Sequence, residues 1–287
     1  MRVLVLGAGG QVGRAVQAAA PSAHEVIAKP RAELDITNEA AVAAFLAESP
    51  VDWIVNAAAY TAVDRAETDQ AEAFASNDAA VGVLARAGAS VGARLLHLST
   101  DFVFDGRANR AYLPGDATHP LSVYGASKLA GEQQALREPQ AIVLRTAWVY
   151  DSSGRNFVLT MLRLMRERPE VRVVCDQIGA PTWATGIAEA IWGLMAAGAP
   201  GGIYHWTDAG VASWYDFAVA IQEEALARGL LGQAVPIVPI ATAAYPTPAR
   251  RPAFSVLDSQ ATRALLGVPA THWRHHLRNM LDELRTA

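Results

Sequence analysis

The chain is poor in cysteine. Cys175 is its only thiol, which excludes an internal disulfide and fits a reducing compartment. No second thiol or activating base accompanies it in the sequence, so we expect a buried structural side chain rather than a reactive one.

Long apolar runs and a strong excess of one charge are also absent. No apolar run reaches the ~20 residues that a membrane span needs, and no signal peptide is visible, so we expect a cytoplasmic protein. A net charge of -4 gives no reason to expect nucleic acid or a membrane as partner. With 287 residues, 52% of them hydrophobic, the chain can bury a large core.

Strand and helix patterns alternate through the first half of the chain. Apolar strand patterns occupy residues 2–6, 24–28, 52–56, 94–98 and 141–146, and helical patterns separate them. This order predicts an α/β fold of the Rossmann type, with a doubly wound parallel sheet and a smaller C-terminal substrate-binding lobe. We expect residues 1–150 to form an NAD(P)-binding domain and 151–287 mainly the lobe, with the strands and helix of about 171–206 rejoining the sheet.

Glycines follow the first strand at a characteristic spacing. Gly7, Gly10 and Gly13 lie between that strand and a helix that opens at Gln11 and Val12. This spacing lets the backbone turn tightly and approach a pyrophosphate at the helix N-terminus. A glycine triplet alone is weak evidence, but between a strand and a helix it predicts a dinucleotide site.

The residues after the second strand bear on the choice of cofactor. NAD-selective sites usually have an acidic residue there, whereas this chain has Lys29-Pro30-Arg31. A cation could pair with a ribose 2′-phosphate, which favours NADPH, but a solvated charge pair explains the sequence almost as well and leaves NADH open. Asp35 and Ile36 could lie against the adenine, or Asp35 could simply support a turn. Thr37 is the expected N-cap of the next helix.

The ends of the third and fourth strands carry further candidates. Three alanines, Ala57 to Ala59, precede Tyr60 and allow a ligand to approach the sheet closely. Thr100 follows the fourth strand at the edge where ligands bind in parallel sheets, and it could hold a reacting oxygen or merely end a strand. His97 lies within that apolar strand, which favours a packed core histidine.

Tyr124 and Lys128 stand four residues apart in one predicted helix, with Ser122 before it. Residues at this spacing share a helix face, so the lysine ammonium is expected to lower the pKa of the tyrosine and make it a proton donor. An accidental pair on an exposed helix is the alternative.

Together these motifs resemble the extended short-chain dehydrogenase/reductase superfamily, and within it the reductases of dTDP-linked 4-keto-6-deoxysugars. The matching stretches cover nearly the whole chain and lie at residues 10–13, 34–38, 55–64, 99–106, 124–132, 145–150, 156–157, 176–182 and 251–252.

The resemblance implies NADPH-dependent reduction of dTDP-4-keto-6-deoxy-L-mannose to dTDP-L-rhamnose. It implies that Tyr124 donates a proton, that Lys128 binds the nicotinamide ribose, that Thr100 holds the keto oxygen and that Trp148 packs on the sugar. The expected cofactor site comprises Gly7, Gly10, Gln11, Val12, Arg31, Asp35, Ile36, Ala57, Ala58, Ala59, Tyr60, Tyr124 and Lys128. The expected site for the dTDP-sugar comprises Thr100, Asp101, Phe102, Trp148, Asn156 and Arg251.

Two residues depart from the family pattern. Many members have tyrosine where this chain has Phe102, and some have a glutamate at position 15 that helps to hold magnesium at a dimer interface, where this chain has Ala15. Magnesium-linked dimerisation is therefore doubtful, and monomer and homodimer both stay open. His272, His275 and His276 do not have convincing metal-ligand spacing, so we expect no metal and a polar helix face.

Three other functions compete with the reduction of this sugar, and the first is the reduction of another nucleotide-sugar 4-ketone. Related nucleotide-sugar dehydratases usually have Asp-Glu after the threonine, whereas Thr100 is followed by Asp101-Phe102. A regulatory subunit of methionine adenosyltransferase also resembles this family and acts by binding a partner. Thr100, Tyr124 and Lys128 together favour catalysis without excluding a binding role.

Overall fold

A six-stranded parallel sheet forms the centre of the protein, whose computed structural model describes residues 1–286. Its strands are β1 (Arg2–Leu6), β2 (Glu25–Lys29), β3 (Trp53–Asn56), β4 (Arg94–Thr100), β5 (Ile142–Thr146) and β10 (Gly202–His205). They lie in the order β10-β5-β4-β3-β1-β2, which confirms the expected α/β class.

Helices cover both faces of this sheet. They are α1 (Gln11–Ala18), α2 (Glu39–Glu48), α3 (Val63–Ala66), α4 (Gln70–Phe74), α5 (Ala80–Ser90), α6 (Val123–Ala135) and α8 (Ala184–Ala196). Val3 and Val5 of β1 pack in the core under α1 and α8, whereas Leu4 and Leu6 pack in the core under α2 and α5. Because both faces are covered, the strands are continuous apolar runs rather than alternating ones.

The second lobe is built from two-stranded sheets and helices. The strand pairs are β6 (Val149–Tyr150) with β9 (Thr182–Trp183), β8 (Ile178–Gly179) with β11 (Ala212–Ser213), and β7 (Val171–Val174) with β12 (Ile237–Ile240). Its helices are α7 (Phe157–Glu167), α9 (Trp214–Ala227) and α11 (Trp273–Thr286), whereas α10 (Gln260–Leu266) packs against α8 of the main sheet. Residues of α7, α9 and α11 share one core with β7, which is the core of this lobe.

Some local expectations need correction. Of the segment at about 171–206, α8 and β10 join the main sheet, but β7 pairs with β12 because its buried side chains belong to the core of the second lobe. Thr37 does not cap α2, because Asn38 accepts the N–H of Ala41 instead. Ser213 caps α9, in a capping box with Asp216. Within the described part of the chain, no helix combines the length and apolarity needed to cross a bilayer.

The helix that carries Tyr124 and Lys128 packs very closely on its neighbour. Helix α4 continues through a single π-helical turn, Ala75–Ala79, into α5, and α6 lies against that turn. The Asn77 amide donates to Ser127 Oγ at 3.0 Å, and a Cβ on Gly131 would lie only 1.9 Å from the Asn77 carbonyl oxygen. Only glycine allows this approach, so Gly131 fixes the depth of α6 against the sheet.

We expect Gly131→Ala to lower the free energy of unfolding by about 1–3 kcal/mol, because the new methyl group overlaps backbone that cannot move freely. Urea unfolding of the two proteins measures the difference. Gly115→Ala is the matched control, since a Cβ there meets nothing within 4 Å. Equal stability of Gly131→Ala and the control variant would contradict the close packing.

Candidate active site

A cavity of about 570 Å³ opens at the carboxyl ends of the parallel strands. It is lined by every residue of the expected cofactor site: Gly7, Gly10, Gln11, Val12, Arg31, Asp35, Ile36, Ala57, Ala58, Ala59, Tyr60, Tyr124 and Lys128. The sequence did not single out several others, among them Arg14, Ser76, Ser99, Thr146 and Arg155. Arg14 follows the last glycine directly, and that position was its only signal. Ser76 lies in the π-helical turn, and the others lie in a loop or at strand ends, where only the fold defines their neighbours.

The glycine loop forms one wall of the cavity. Gly7 has a φ of +69°, and a Cβ there would lie 2.6 Å from the Ala58 nitrogen. A Cβ on Gly13 would lie 2.3 Å from the Gly7 carbonyl oxygen, so α1 can pack this closely only on glycine. Gly10 caps α1 without a side-chain hydrogen bond, which leaves the first N–H groups of the helix for a ligand.

Lys128 reaches the cavity from a buried position, with 3% of its surface exposed. Its Nζ donates to the Leu98 carbonyl oxygen at 2.6 Å and lies 3.3 Å from His97 Nε2. Burial lowers the pKa of Lys128 to about 8, and the charge of Glu132 acts in the opposite direction. Lys128 is thus an amine that can gain or lose a proton near neutral pH.

Tyr124 differs from the expectation. Burial raises its pKa to about 12; a hydrogen bond with Thr100 lowers it and the charge of Asp101 raises it. The prediction that Lys128 lowers this pKa is therefore wrong for this arrangement, because the Lys128 amine bonds to Leu98 and lies beside His97. With this pKa Tyr124 keeps its proton throughout the neutral range.

Thr100 and Asp101 are the polar residues that lie beside the Tyr124 side chain. Thr100 Oγ1 donates to Asp101 Oδ1 at 3.0 Å and accepts the Phe102 N–H at 3.2 Å. Asp101 is 2% exposed, and burial raises its pKa to about 6. The Phe102 ring meets the Tyr124 ring edge-on at 5.5 Å, so the residue that replaces the common tyrosine makes an apolar contact there.

Trp148 lies at the junction of the two lobes in a constrained conformation. Its φ is +48°, its indole stacks on Trp214 at 3.5 Å, and a Cβ on Gly179 would lie 2.4 Å from the indole. The sequence did not single out Trp214, which begins a helix far along the chain. The stack and Gly179 fix where a sugar ring could contact Trp148.

Asn156 and Arg251 have other partners than the expected ones. The Asn156 side chain caps α7 by accepting the Leu159 N–H, and its amide donates to Asp151 and Gln11. It therefore connects the second lobe to the glycine loop, and no part of its amide is left for a substrate.

Arg251 forms a two-point ion pair with Asp64, at 2.9 Å and 3.1 Å, which lowers the pKa of that carboxyl. Its guanidinium joins the proline-rich loop to α3 and is already paired with a carboxylate, so the expected contact with the dTDP-sugar is not supported. Asp64 was recognised only as part of a motif, because nothing in the sequence connects it to a residue so far along the chain.

Charged side chains at the adenine end are paired. Arg31 lies 3.3 Å from Asp35 and 3.6 Å from Glu72, and Lys29 pairs with Glu33 at 3.0 Å. Arg31 and Asp35 line the cavity, whereas Lys29 does not.

The remaining predictions concern metals and single residues. Ala15 is buried in the core beneath α8. Within residues 1–286, no group of three or more His, Cys, Asp or Glu is arranged to hold a metal ion. His276 is not part of a polar face, because it pairs with the buried Asp208 at 2.9 Å. Cys175 is half-buried rather than buried.

The sheet, the glycine loop and the Tyr-x-x-x-Lys helix at one cavity place the protein in the extended short-chain dehydrogenase/reductase class. The family model described as the RmlD substrate binding domain matches residues 1–286. The chain is 45% identical to the dTDP-4-dehydrorhamnose reductase of Burkholderia thailandensis, over 96% of each chain. It belongs to the dTDP-4-dehydrorhamnose reductase family.

Solved structures agree with this family. A dTDP-4-dehydrorhamnose reductase from Clostridium acetobutylicum superimposes with a TM-score of 0.93 at 37% identity, covering 99% of this chain and 100% of that one. The enzyme from Bacillus anthracis, solved in complex with NADP, superimposes with a TM-score of 0.92 at 34% identity, covering 98% and 99%.

Asp101 makes stability depend on pH in a defined direction. The folded protein holds the Asp101 proton up to about pH 6, whereas the usual pKa is 3.8, so this carboxyl costs stability as the pH rises through that interval. We expect Asp101→Asn to raise the free energy of unfolding by roughly 1–3 kcal/mol above pH 6, with the gain disappearing near pH 4.

Urea unfolding at a series of pH values measures this difference between the variant and the parent protein. Asp105→Asn is the control with the opposite sign, because the Arg107 N–H, followed by other hydrogen bonds, lowers the pKa of Asp105. A gain for Asp101→Asn that does not change with pH would exclude ionisation as its cause.

Proposed function

We propose that the protein catalyses NADPH-dependent reduction of dTDP-4-dehydro-L-rhamnose to dTDP-L-rhamnose. The observation that carries the proposal is the position of Tyr124 and Lys128 on the wall of the cavity that the glycine loop also lines. The relatives that bear this name match nearly the whole chain.

Charge in the cavity supports a dinucleotide with an extra phosphate. Its lining includes Arg14, Arg31, Arg155 and Lys128, against Asp35 as the single carboxylate among its described lining residues. Arg14 Nε and Nη2 are buried without a hydrogen-bond partner, although Nη2 lies 4.0 Å from the Asp151 carboxylate, so a phosphate oxygen would find donors there. Arg31 already pairs with Asp35 and Glu72, so NADH also remains compatible with the site.

The reaction adds a hydride to C4 of the sugar and a proton to its oxygen, so that a carbonyl becomes an alcohol. The reduced nicotinamide, when bound, supplies the hydride. Tyr124 supplies the proton, and its raised pKa means that the phenol is fully protonated at neutral pH. Thr100 Oγ1 donates its proton to Asp101 and therefore accepts from the Tyr124 hydroxyl, which holds the phenol in place until the sugar oxygen replaces Thr100 as the acceptor.

The sugar nucleotide would bind between the lobes. Thr100, Phe102 and Trp148 are the residues we assign to the sugar, with Asp101 acting through Thr100. Phe102 beside Tyr124, rather than a glutamate, removes the acid–base pair that dehydration needs and leaves simple reduction. We propose a cytoplasmic enzyme that acts as a monomer or homodimer.

Tyr124→Phe is expected to lower kcat by about 10²–10⁴-fold, because it removes the proton donor and leaves the rest of the cavity in place. NADPH oxidation with dTDP-4-dehydro-L-rhamnose measures turnover, and fluorescence titration measures NADPH binding, which should change little. Tyr204→Phe is the matched control, since that hydroxyl bonds only to Pro200 at the surface. Turnover near the parent level in Tyr124→Phe, or none in the parent with any nucleotide-sugar ketone, would exclude the proposal.

Arg31→Ala is expected to lower kcat/KM for NADPH about tenfold and to leave that for NADH nearly unchanged, because only NADPH carries the 2′-phosphate. Parallel assays with the two cofactors measure the ratio. Arg86→Ala is the control, because that exposed arginine pairs with Glu39 and does not line the cavity. An equal effect on both cofactors would assign Arg31 to the fold instead.

A further inference from the structure

A row of buried polar groups runs beneath Lys128 from one strand to the next. Asn56 on β3 and His97 on β4 are direct neighbours across the sheet, and each is completely buried. Asn56 Nδ2 lies 3.1 Å from His97 Nδ1, and His97 Nε2 lies 3.3 Å from Lys128 Nζ. The Leu98 carbonyl oxygen completes the row by accepting from Lys128.

The backbone fixes which atom of Asn56 faces the histidine. The Ala58 N–H donates to Asn56 Oδ1 at 3.1 Å, and a backbone N–H can only donate. The Asn56 amide nitrogen therefore points at His97 Nδ1, which must accept. Complete burial is the largest cause that lowers the pKa of His97 well below its usual value, so the ring is neutral, and because Nδ1 accepts from Asn56 its one proton is on Nε2.

This tautomer has a consequence for Lys128. The His97 Nε2–H points at the Lys128 nitrogen, where an amine has a lone pair to accept it and an ammonium has only further hydrogens. The opposite tautomer would suit an ammonium, but it would set the Nδ1–H against the Asn56 amide. The neutral amine is thus the form that satisfies every group in the row.

We propose that Asn56 and His97 are positioning residues for Lys128: they fix one histidine tautomer and, through it, disfavour the ammonium form of Lys128 at the wall of the cavity. The inference rests on the proposed function, because Lys128 matters only if this cavity is the site of reduction. The lowered pKa of Lys128 is consistent with it. The positive charge of Lys128 beside the cavity is then lost as the pH rises through the titration midpoint of this amine.

The other charged groups around Lys128 do not account for the disfavoured ammonium form. Glu132 on the same helix favours the ammonium, and it is paired with Arg145 of β5. Asp101 lies against Tyr124 and Thr100. Charged groups on the remaining elements packed against α6 have partners elsewhere: Asp64 with Arg251, Arg65 with Asp69, Glu67 with the Val123 N–H, Glu72 with Arg31, Asp78 with Gln134, and Arg86 with Glu39.

The composition of the chain allows a direct test. Lys29 and Lys128 are its only lysines, so the full-length protein labelled with ¹³C at lysine Cε gives two signals, and Lys29→Arg assigns them. ¹⁵N-histidine spectra of the parent protein report the tautomer of His97 and need no substitution in the row. We expect a neutral His97 with its proton on Nε2 throughout the neutral range. A proton on Nδ1, or a doubly protonated ring, would overturn the proposal.

Asn56→Asp is expected to reverse the direction of the hydrogen bonds from residue 56 through His97 to Lys128. A carboxylate accepts from Nδ1, so the Nε2 lone pair would face Lys128 and favour the ammonium. We expect the His97 tautomer to switch and the titration midpoint of Lys128 to rise by about one pH unit or more, a tenfold change. The fall in kcat/KM at alkaline pH should move in the same direction.

Asn38→Asp is the matched control, because an exposed N-cap tolerates either residue and adds the same charge. A raised midpoint without a tautomer switch would mean that charge alone acts, and destabilisation without a change in the Lys128 midpoint would mean a structural role; either result overturns the proposal. These spectra require no turnover. An inactive enzyme with the expected tautomer would therefore refute the proposed function and not the tautomer assignment.

Discussion

The buried ion pair between Arg145 and Glu132 holds the reactive helix against the sheet. Arg145 of β5 donates to both carboxylate oxygens of Glu132 on α6, at 2.7 Å and 2.8 Å, and each side chain is 2% exposed. Ser99 of β4 donates to the same carboxylate. Removing one partner of such a pair leaves a buried charge uncompensated, at a cost of about 3–5 kcal/mol. Because Glu132 lies one turn beyond Lys128, this pair fixes the height and rotation of the Tyr124–Lys128 face above the cavity.

Close backbone approach supplies the second constraint on the same helix. Gly131 lets α6 lie on the π-helical turn at Asn77, and Gly13 lets α1 lie on Gly7. At both places a Cβ atom would overlap the backbone of the neighbouring element. The two helices can therefore lie at these positions only because glycine has no side chain. The ion pair and the glycines together define one rigid arrangement, in which the glycine loop and the proton donor face the same cavity.

The electrostatics of the site follow from this rigidity. Burial keeps Tyr124 protonated and makes the Lys128 ammonium costly, while Asp101 retains a proton to about pH 6. A simple reading of the helix face, in which a lysine acidifies the tyrosine one turn away, fails because the amine is held by Leu98 and lies beside His97. The three-dimensional arrangement therefore changes the pKa values expected for Tyr124 and Lys128, while the residues that form the motif stay the same.

The sequence predicts the fold class, the alternation of strands and helices and the glycine loop, because these depend on local periodicity and on short motifs, and the residues that it assigns to the cofactor all line one cavity. It did not determine the partners of Asn156 and Arg251, the stacking of Trp214 on Trp148, or the pairing of β7 with β12. Those contacts join residues far apart in the chain, and no local pattern records them. His97 shows the difference most clearly. Its place in an apolar strand correctly predicted its burial. Its contacts with Asn56 on one side and Lys128 on the other follow from the pairing of β3 with β4 and the packing of α6, which no local pattern shows.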